Sequence, residues 1–186
     1  MSNRIMDTRR LVTLALLAAL SVILARILGF QPLPYLRLSF EDLPIILAGI
    51  LFGPAAGALT GAVADLAGGL LSKYGINPVF TVGPVAMGLA SGLLRGLIVK
   101  RLNYPRLLAV ILPGAILGRA IWNGCWLYAL GFAGADAALP LLLAQRLLQY
   151  AVISFLNAAL ILALFKARVF DQMRLWPPRA AKEKQP

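Results

Sequence analysis

Four ionisable side chains inside an otherwise apolar chain are the first candidates for chemistry. Arg26, Asp65, Arg119 and Arg146 all fall within residues 11–165, a stretch that is almost continuously apolar. A charged group in such a stretch is costly unless it is paired, so it marks a ligand site, a transport path or an ion pair. We expect Asp65 to pair with one arginine. Because the arginines outnumber the aspartate, at least one guanidinium should face water, carbonyl groups or an anionic ligand.

Two predicted helix faces combine guanidinium, aromatic and amide groups. The residues of each face follow the helical spacing i, i+3, i+4, i+7. The first face consists of Arg119, Trp122, Asn123 and Trp126. The second face consists of Arg146, Gln149, Tyr150, Ile153 and Asn157. Such groups suit a flat, acidic, heteroaromatic ligand, through indole stacking, amide hydrogen bonds and guanidinium–carboxylate pairs. The alternative interpretation is that the tryptophans mark interfacial depth and the amides join helices.

The composition is that of a membrane protein. Of the 186 residues 60% are apolar and 13% charged, and the mean hydropathy is +0.82. The net charge of +11 does not indicate a nucleic-acid binder, since the basic residues are not set among polar, aromatic-rich surface segments. With no histidine, one cysteine and no phosphate-binding loop, the chain predicts neither an enzyme nor a metal or cofactor site.

Six apolar segments predict an all-α membrane protein with six transmembrane helices. They are residues 11–30, 43–52, 55–71, 79–99, 107–132 and 140–165, of which the second is short. Lysine and arginine cluster before the first segment, between the fourth and fifth, and after the sixth, which predicts that both termini are cytoplasmic. We expect one domain, residues 1–170, and a basic, disordered cytoplasmic tail, residues 171–186. Arg9 and Arg10 also resemble the start of a signal peptide, but an uncleaved first span is the simpler interpretation.

Glycines recur at four-residue intervals in the middle of the chain. The stripes are Gly49, Gly53, Gly57 and Gly61, followed by Gly88, Gly92 and Gly96. Such stripes let helix backbones approach closely. They predict tight packing within one bundle or, alternatively, contact with another membrane subunit.

One segment resembles a known family. Residues 38–54, LSFEDLPIILAGILFGP, continuing through Gly57, Gly61 and Asp65, resemble the substrate-binding S components of energy-coupling factor (ECF) vitamin transporters, most closely the folate family. Arg9-Arg10, the segment NGCWLY at 123–128 and Arg146 add to the likeness, which runs over residues 9–165.

The resemblance implies a six-helix S component of the cell membrane. Such a component would capture a vitamin from outside the cell and work with a membrane coupling subunit and two cytoplasmic ATPases. Ala15 and Ala19 match the first-helix patch that docks on the coupling subunit, and their spacing independently suits close helix approach. The loop 31–40 acts as a lid in relatives, which makes Tyr35 and Arg37 candidate ligand contacts.

The ligand and the mode of transport stay open at this stage. Folate or a related pterin is the first hypothesis, and pantothenate and riboflavin are alternatives. Glu41 and Asp42 stand where less acidic residues are expected in folate binders, and they would repel a dianionic glutamate tail unless they point away. Other hypotheses are a stand-alone secondary carrier that uses Asp65 and an assembly protein without a ligand.

Overall fold

The protein is a bundle of helices with one short β hairpin. The computed structural model describes residues 8–27, 30–33, 36–72, 75–100, 102–131, 138–167 and 169–172. Its helices are α1 (Thr8–Ile27), α2 (Asp42–Phe52), α3 (Pro54–Leu70), α4 (Pro78–Leu93), α5 (Gly96–Lys100), α6 (Tyr104–Pro113), α7 (Asn123–Ala129), α8 (Leu139–Lys166) and α9 (Val169–Gln172). A π-helical segment, Gly114–Trp122, joins α6 to α7, so that Tyr104–Ala129 forms one long helix.

Helices occupy all six predicted segments. Among the described residues, three helices are long and apolar enough to cross a membrane. These are Arg10–Ile27 of α1, Tyr104–Ala129 and Leu139–Lys166. The α2 and α4 helices are apolar but shorter. The sequence predicted one continuous fourth span, but a turn at Leu94 and Arg95 separates α4 from α5. The predicted tail at 171–186 lies almost wholly outside the described residues.

The hairpin was not predicted, because its segment was expected to be a loop. Strands β1 (Phe30–Leu33) and β2 (Leu36–Leu38) pair antiparallel, with Phe30 opposite Leu38 and Leu33 opposite Leu36. Strand β2 also contacts α8. The segment between α1 and α2 therefore runs beside α8 instead of standing apart from the bundle.

The α2 helix is the centre of the bundle. Its residues from Asp42 to Leu51 are all buried, and α1, α3, α4 and α8 pack around it. It ends at Gly53, where φ is +102°, and α3 starts at once with Pro54 in its first turn. Glycine accepts this conformation at no steric cost and proline suits the first helical turn, so the predicted break between the two helices is confirmed.

The glycine stripes bring α2, α3 and α4 into backbone contact. A Cβ atom on Gly57 would overlap the carbonyl oxygen of Gly88, and one on Gly88 would overlap that of Gly57. Gly49 and Gly92 are enclosed in the same way, Gly49 by α4 and Gly92 by Pro54. Packing inside one bundle, the first of the two predicted roles, is confirmed for these residues. Gly96 differs, because nothing lies within 4 Å of its Cβ position.

Candidate functional site

A cavity of 650 Å³ opens at one end of the bundle. This end, called here the cavity end, holds the last turns of α1 and α3 and the first turns of α2, α4 and α8. The walls combine apolar groups such as Phe80, Pro84 and Ile153 with polar and charged ones. The volume falls in the range of small-molecule pockets, about 300–1,000 Å³.

The floor of the cavity is a buried ion cluster. The Arg119 Nε donates to Asp42 Oδ1 at 2.9 Å, and Arg119 Nη2 contacts the same oxygen and also lies 3.2 Å from Glu41 Oε1. Arg119 is 5% exposed and Asp42 is 1% exposed. A guanidinium buried against two carboxylates has its charge matched inside the protein. The acidic pair that was expected to repel an anionic ligand therefore turns towards Arg119.

The expected pairing of Asp65 with an arginine is wrong for the residues that the structure describes. The Thr81 hydroxyl donates to Asp65 Oδ2 at 2.7 Å, and no described arginine or lysine forms an ion pair with Asp65. Arg119 pairs with Glu41 and Asp42 instead. Asp65 lines the cavity, so water or a ligand can reach its carboxylate.

The two other arginines line the cavity walls. Arg26, in the last turn of α1, donates from Nη2 to the carbonyl oxygen of Gly68 in α3. Arg146, in the second turn of α8, is half-buried and has no hydrogen-bond or ion-pair partner among the described residues. Its Cγ lies 3.8 Å from the Cβ position of Gly124, so its stem packs on α7. The expectation that at least one guanidinium faces water, carbonyl groups or an anionic ligand is met by Arg26, which binds a carbonyl oxygen, and a ligand role of Arg146 stays a prediction.

Asn123 and the two tryptophans do not share a face as predicted. Asn123 lines the cavity, whereas neither Trp122 nor Trp126 does. The Trp122 Nε1 donates to the carbonyl oxygen of Val79 at 2.9 Å, and the two indole rings contact each other with centroids 6.1 Å apart. The prediction assumed α-helical spacing, but Gly114–Trp122 is π-helical, and its i→i+5 hydrogen bonds rotate the later residues relative to Arg119. A role of the tryptophans in binding stays a prediction.

The second predicted face is present in the structure. Arg146, Gln149, Tyr150 and Ile153 of α8 all line the cavity, while Asn157, one turn further, does not. Gln149 is 3% exposed and Tyr150 is 8% exposed, so the protein covers most of both side chains.

Four other predicted residues either do not line the cavity or have side chains that the structure does not describe. Tyr35 lies outside the described residues, and the structure describes only the backbone of Arg37, in β2. Ala15 and Ala19 lie on an exposed face of α1, among large apolar residues such as Leu16 and Leu20. This face is available for contact with lipid or with another helix.

Several cavity residues were not predicted as site residues. Phe80 supplies an aromatic wall, Asn77 and Gln145 supply amides, and Glu41 and Asp42 supply the partners of Arg119. The available signal was the acidic pair at the start of a buried apolar segment, because a carboxylate in that place needs a cationic partner.

The fold is that of a helical membrane protein, and its partly polar cavity lies at one end of the bundle. The chain belongs to the family of ECF transporter substrate-specific components, because the family's sequence model matches residues 9–170. This is a family of transporter components and not of enzymes.

Individual relatives agree with this assignment. The chain is 24% identical over 157 residues to the folate transporter FolT of Clostridium novyi (strain NT), covering 84% of this chain and 87% of the relative. It is 39% identical over 87 residues to the riboflavin transporter RibU of Staphylococcus aureus (strain TCH60), covering 45% and 43%.

Solved structures share the fold. The crystal structure of FolT bound with folic acid superposes with a TM-score of 0.70 at 25% identity, covering 85% of this chain and 93% of that one. An S component for biotin superposes with a TM-score of 0.62 at 20% identity, covering 89% and 95%. The latter likeness concerns the fold alone.

Proposed function

We propose that this protein is the vitamin-binding subunit of an ECF importer and that its ligand is folate or a related pterin. The observation that carries the proposal is the cavity. Arg146, which has no hydrogen-bond or ion-pair partner among the described residues, lines it together with amide side chains and the aromatic ring of Phe80. The fold shared with FolT bound with folic acid supports the same ligand class.

The charges of the cavity fit an acidic ligand better than the sequence suggested. Three arginines and three carboxylates line it among the described residues, so their formal charges cancel. Glu41 and Asp42 are matched in part by Arg119, which reduces their repulsion of an incoming anion. Arg146 then offers donors to a carboxylate, with a geometry that suits bidentate pairing.

Riboflavin is the second candidate ligand, because of the 39% identity to RibU over 87 residues. That match covers less than half of either protein, so it carries less weight than the FolT comparison. Pantothenate remains an alternative from the sequence alone. Riboflavin has no carboxylate, so a riboflavin site would leave the guanidinium of Arg146 without an anionic partner.

We further propose six crossings of the prokaryotic plasma membrane with both termini in the cytoplasm. Basic residues such as Arg106 and Lys166 lie at the end of the bundle opposite the cavity, which supports an outward-facing cavity. In this orientation the ligand arrives from outside. The coupling subunit and two ATPases would supply energy, and the exposed face around Ala15 and Ala19 would dock on the coupling subunit.

The ligand is tested by mass spectrometry of the purified protein and by calorimetric titration with folate, riboflavin, pantothenate and biotin. Folate should bind tightly without ATP. If none of the four vitamins binds or shifts the melting temperature, the proposed function is wrong.

The energy source is tested in liposomes that contain this chain alone. Uptake of folate driven by an ion gradient would favour the stand-alone carrier that uses Asp65 over the importer subunit. Replacing Ala15 and Ala19 by leucine should prevent co-purification with the coupling subunit and leave vitamin binding intact, since neither residue lines the cavity.

A further inference from the structure

Arg95 is a half-buried arginine at the end of the bundle opposite the cavity. It stands in the turn between α4 and α5 and does not line the cavity. Its Nη1 lies 3.2 Å from the Cβ position of Gly53, so the side chain packs over the end of α2. Within the described part of the chain, Arg95 forms neither a hydrogen bond nor an ion pair. The hydrogen-bonding capacity of its guanidinium is therefore available to a group outside the protein.

The length of α4 places this turn near the boundary of the lipid. The 16 residues of α4 rise about 24 Å from the cavity end, and the hydrocarbon core of a bilayer is about 30 Å thick. A long cationic side chain near such a boundary extends its charged group towards the headgroups while its stem stays on apolar surface. The guanidinium of Arg95 thus comes within reach of the lipid headgroups.

The surface beside Arg95 is apolar and open. Leu93 is 64% exposed and Leu97 is 46% exposed, one on each side of Arg95 along the chain. No described atom lies within 4 Å of the Cβ position of Gly96, so the backbone of the turn can be approached closely. Exposed leucines suit acyl chains, and a guanidinium between them suits a phosphate group. The turn therefore offers a contact to each part of a phospholipid.

The charges at this end of the bundle favour an anion. Arg106, in the first turn of α6, has its Nη1 3.5 Å from the carbonyl oxygen of Leu97, and Lys166 is exposed at the end of α8. The acidic residues whose side chains the structure describes all line the cavity, at the other end: Glu41, Asp42 and Asp65. An anion that approaches Arg95 therefore meets several cations and none of these carboxylates.

We propose that Arg95 binds the phosphate of an anionic phospholipid such as phosphatidylglycerol. The phosphate oxygens accept hydrogen bonds from the guanidinium, which suits bidentate pairing, and the acyl chains lie along Leu93 and Leu97. A lipid with a choline headgroup binds less well, because its cation is repelled by the basic residues of this end. The site is separate from the cavity, and lipid bound there stabilises the folded protein.

Lipid binding has to be separated from a purely structural role of Arg95. A cation beside the last carbonyl groups of α2 stabilises that helix through its dipole. That contribution is the same whichever lipid surrounds the protein. A bound lipid, in contrast, makes the stability depend on the headgroup. The dependence on the headgroup is therefore the quantity to measure.

The test counts lipids bound to the full-length chain in neutral detergent by native mass spectrometry. Dioleoyl phosphatidylglycerol and dioleoyl phosphatidylcholine are titrated separately in about 0.5 M ammonium acetate, where the Debye length is about 4 Å and distant charges are screened. The wild type should bind phosphatidylglycerol at least about tenfold more tightly, because its hydrogen bonds to Arg95 join two charged groups. Arg95→Gln should lose most of this preference. Lys166→Gln, which removes the same charge from an exposed position at the same end, should keep it.

A second variant and a second measurement apply if Arg95→Gln does not fold. Arg95→Lys keeps the charge but loses the forked geometry, so its preference for phosphatidylglycerol should fall below that of the wild type. Thermal unfolding in nanodiscs of each lipid should show a higher melting temperature in phosphatidylglycerol for the wild type. This difference should shrink in Arg95→Lys. Inorganic phosphate added in detergent should not stabilise the wild type, since it has no acyl chains for Leu93 and Leu97.

Each other result overturns the inference. Equal binding of the two lipids by the wild type would exclude a headgroup site. Equal loss of preference in Arg95→Gln and Lys166→Gln would show diffuse attraction instead of a contact with Arg95. Stabilisation by inorganic phosphate would assign the site to a free anion, and a loss of stability that is the same in both lipids would leave Arg95 only its role at the end of α2.

Discussion

The buried framework of the bundle and the outer wall of its cavity each hold an arginine, and the two arginines differ in their partners. In the framework, around α2, Arg119 is enclosed with Asp42, and glycines press α2, α3 and α4 together. In the outer wall, Arg146 has no hydrogen-bond or ion-pair partner among the residues that the structure describes. Two residues of the same chemical type therefore differ in whether the fold already satisfies them.

This comparison assigns different roles to two arginines that the sequence presented alike. Arg119 and Arg146 each lie in an apolar segment beside aromatic and amide residues. The charge of Arg119 is matched within the protein, whereas we propose that Arg146 binds the carboxylate of an acidic ligand. Substitutions in the framework should change stability, and substitutions in the walls should change affinity.

The largest effect is expected for Arg119→Ala. The substitution leaves Asp42 buried without its cation, which costs about 3–5 kcal/mol of unfolding free energy. Denaturation of the purified protein in detergent measures this loss. The double variant Arg119→Leu with Asp42→Leu should recover much of the stability, since it removes both charges. A single variant that unfolds like the wild type would remove the distinction between the two arginines.

Arg146→Gln should weaken the binding of folate by about 2–5 kcal/mol, since a carboxylate loses its buried guanidinium partner. Calorimetric titration measures the loss, and the unfolding of the ligand-free protein should stay unchanged. Arg10→Gln is the matched control, because Arg10 is an exposed arginine of α1 that does not line the cavity. Equal affinities for all three proteins would exclude Arg146 from the site.

Gly88→Ala tests the framework without changing any charge. The added Cβ would overlap the Gly57 carbonyl oxygen, so α3 and α4 must separate, at a cost of about 1–3 kcal/mol. Gly96→Ala adds the same group where nothing lies within 4 Å and should not destabilise the protein. Thermal unfolding of the two variants gives the comparison. The same stability for both would show that the close approach of the helices is not needed.

Trp122→Phe is expected to have the smallest effect. It keeps an aromatic ring but removes the N–H that bonds to the Val79 carbonyl, at a cost of about 0.5–1.5 kcal/mol of stability. Folate affinity should change less than in Arg146→Gln. A larger loss of affinity than of stability would instead mean that the indole contacts the ligand, as the sequence suggested.

The sequence predicted the helices because their signals are local. Long apolar runs mark the membrane helices, and the Gly53-Pro54 pair marks the break between α2 and α3. Basic residues at three places gave an orientation that remains a proposal. The hairpin at 30–38 gave no comparable signal, since its two strands have only three or four residues each.

The site was predicted less completely because it depends on contacts between distant segments. Arg119 and Asp42 are 77 residues apart, and nothing in their local sequence distinguishes this pairing from one with Asp65. The π-helical turn that precedes Asn123 also escaped prediction, so Trp122 and Trp126 were placed on the same face as Arg119, whereas in the structure neither of them lines the cavity. The face of α8 was predicted better, because that helix is regular over its whole length.

The modest length of α2 has a consequence for where cargo can rest. Its 11 residues rise about 16 Å, whereas the 20 residues of α1 rise about 30 Å. The central column of the bundle is therefore some two and a half turns shorter than α1 beside it. Asp42, at the top of that column, forms the cavity floor. The cavity thus occupies the space that a longer α2 would fill. Lengthening α2 would close this space even if every residue that contacts the ligand stayed the same.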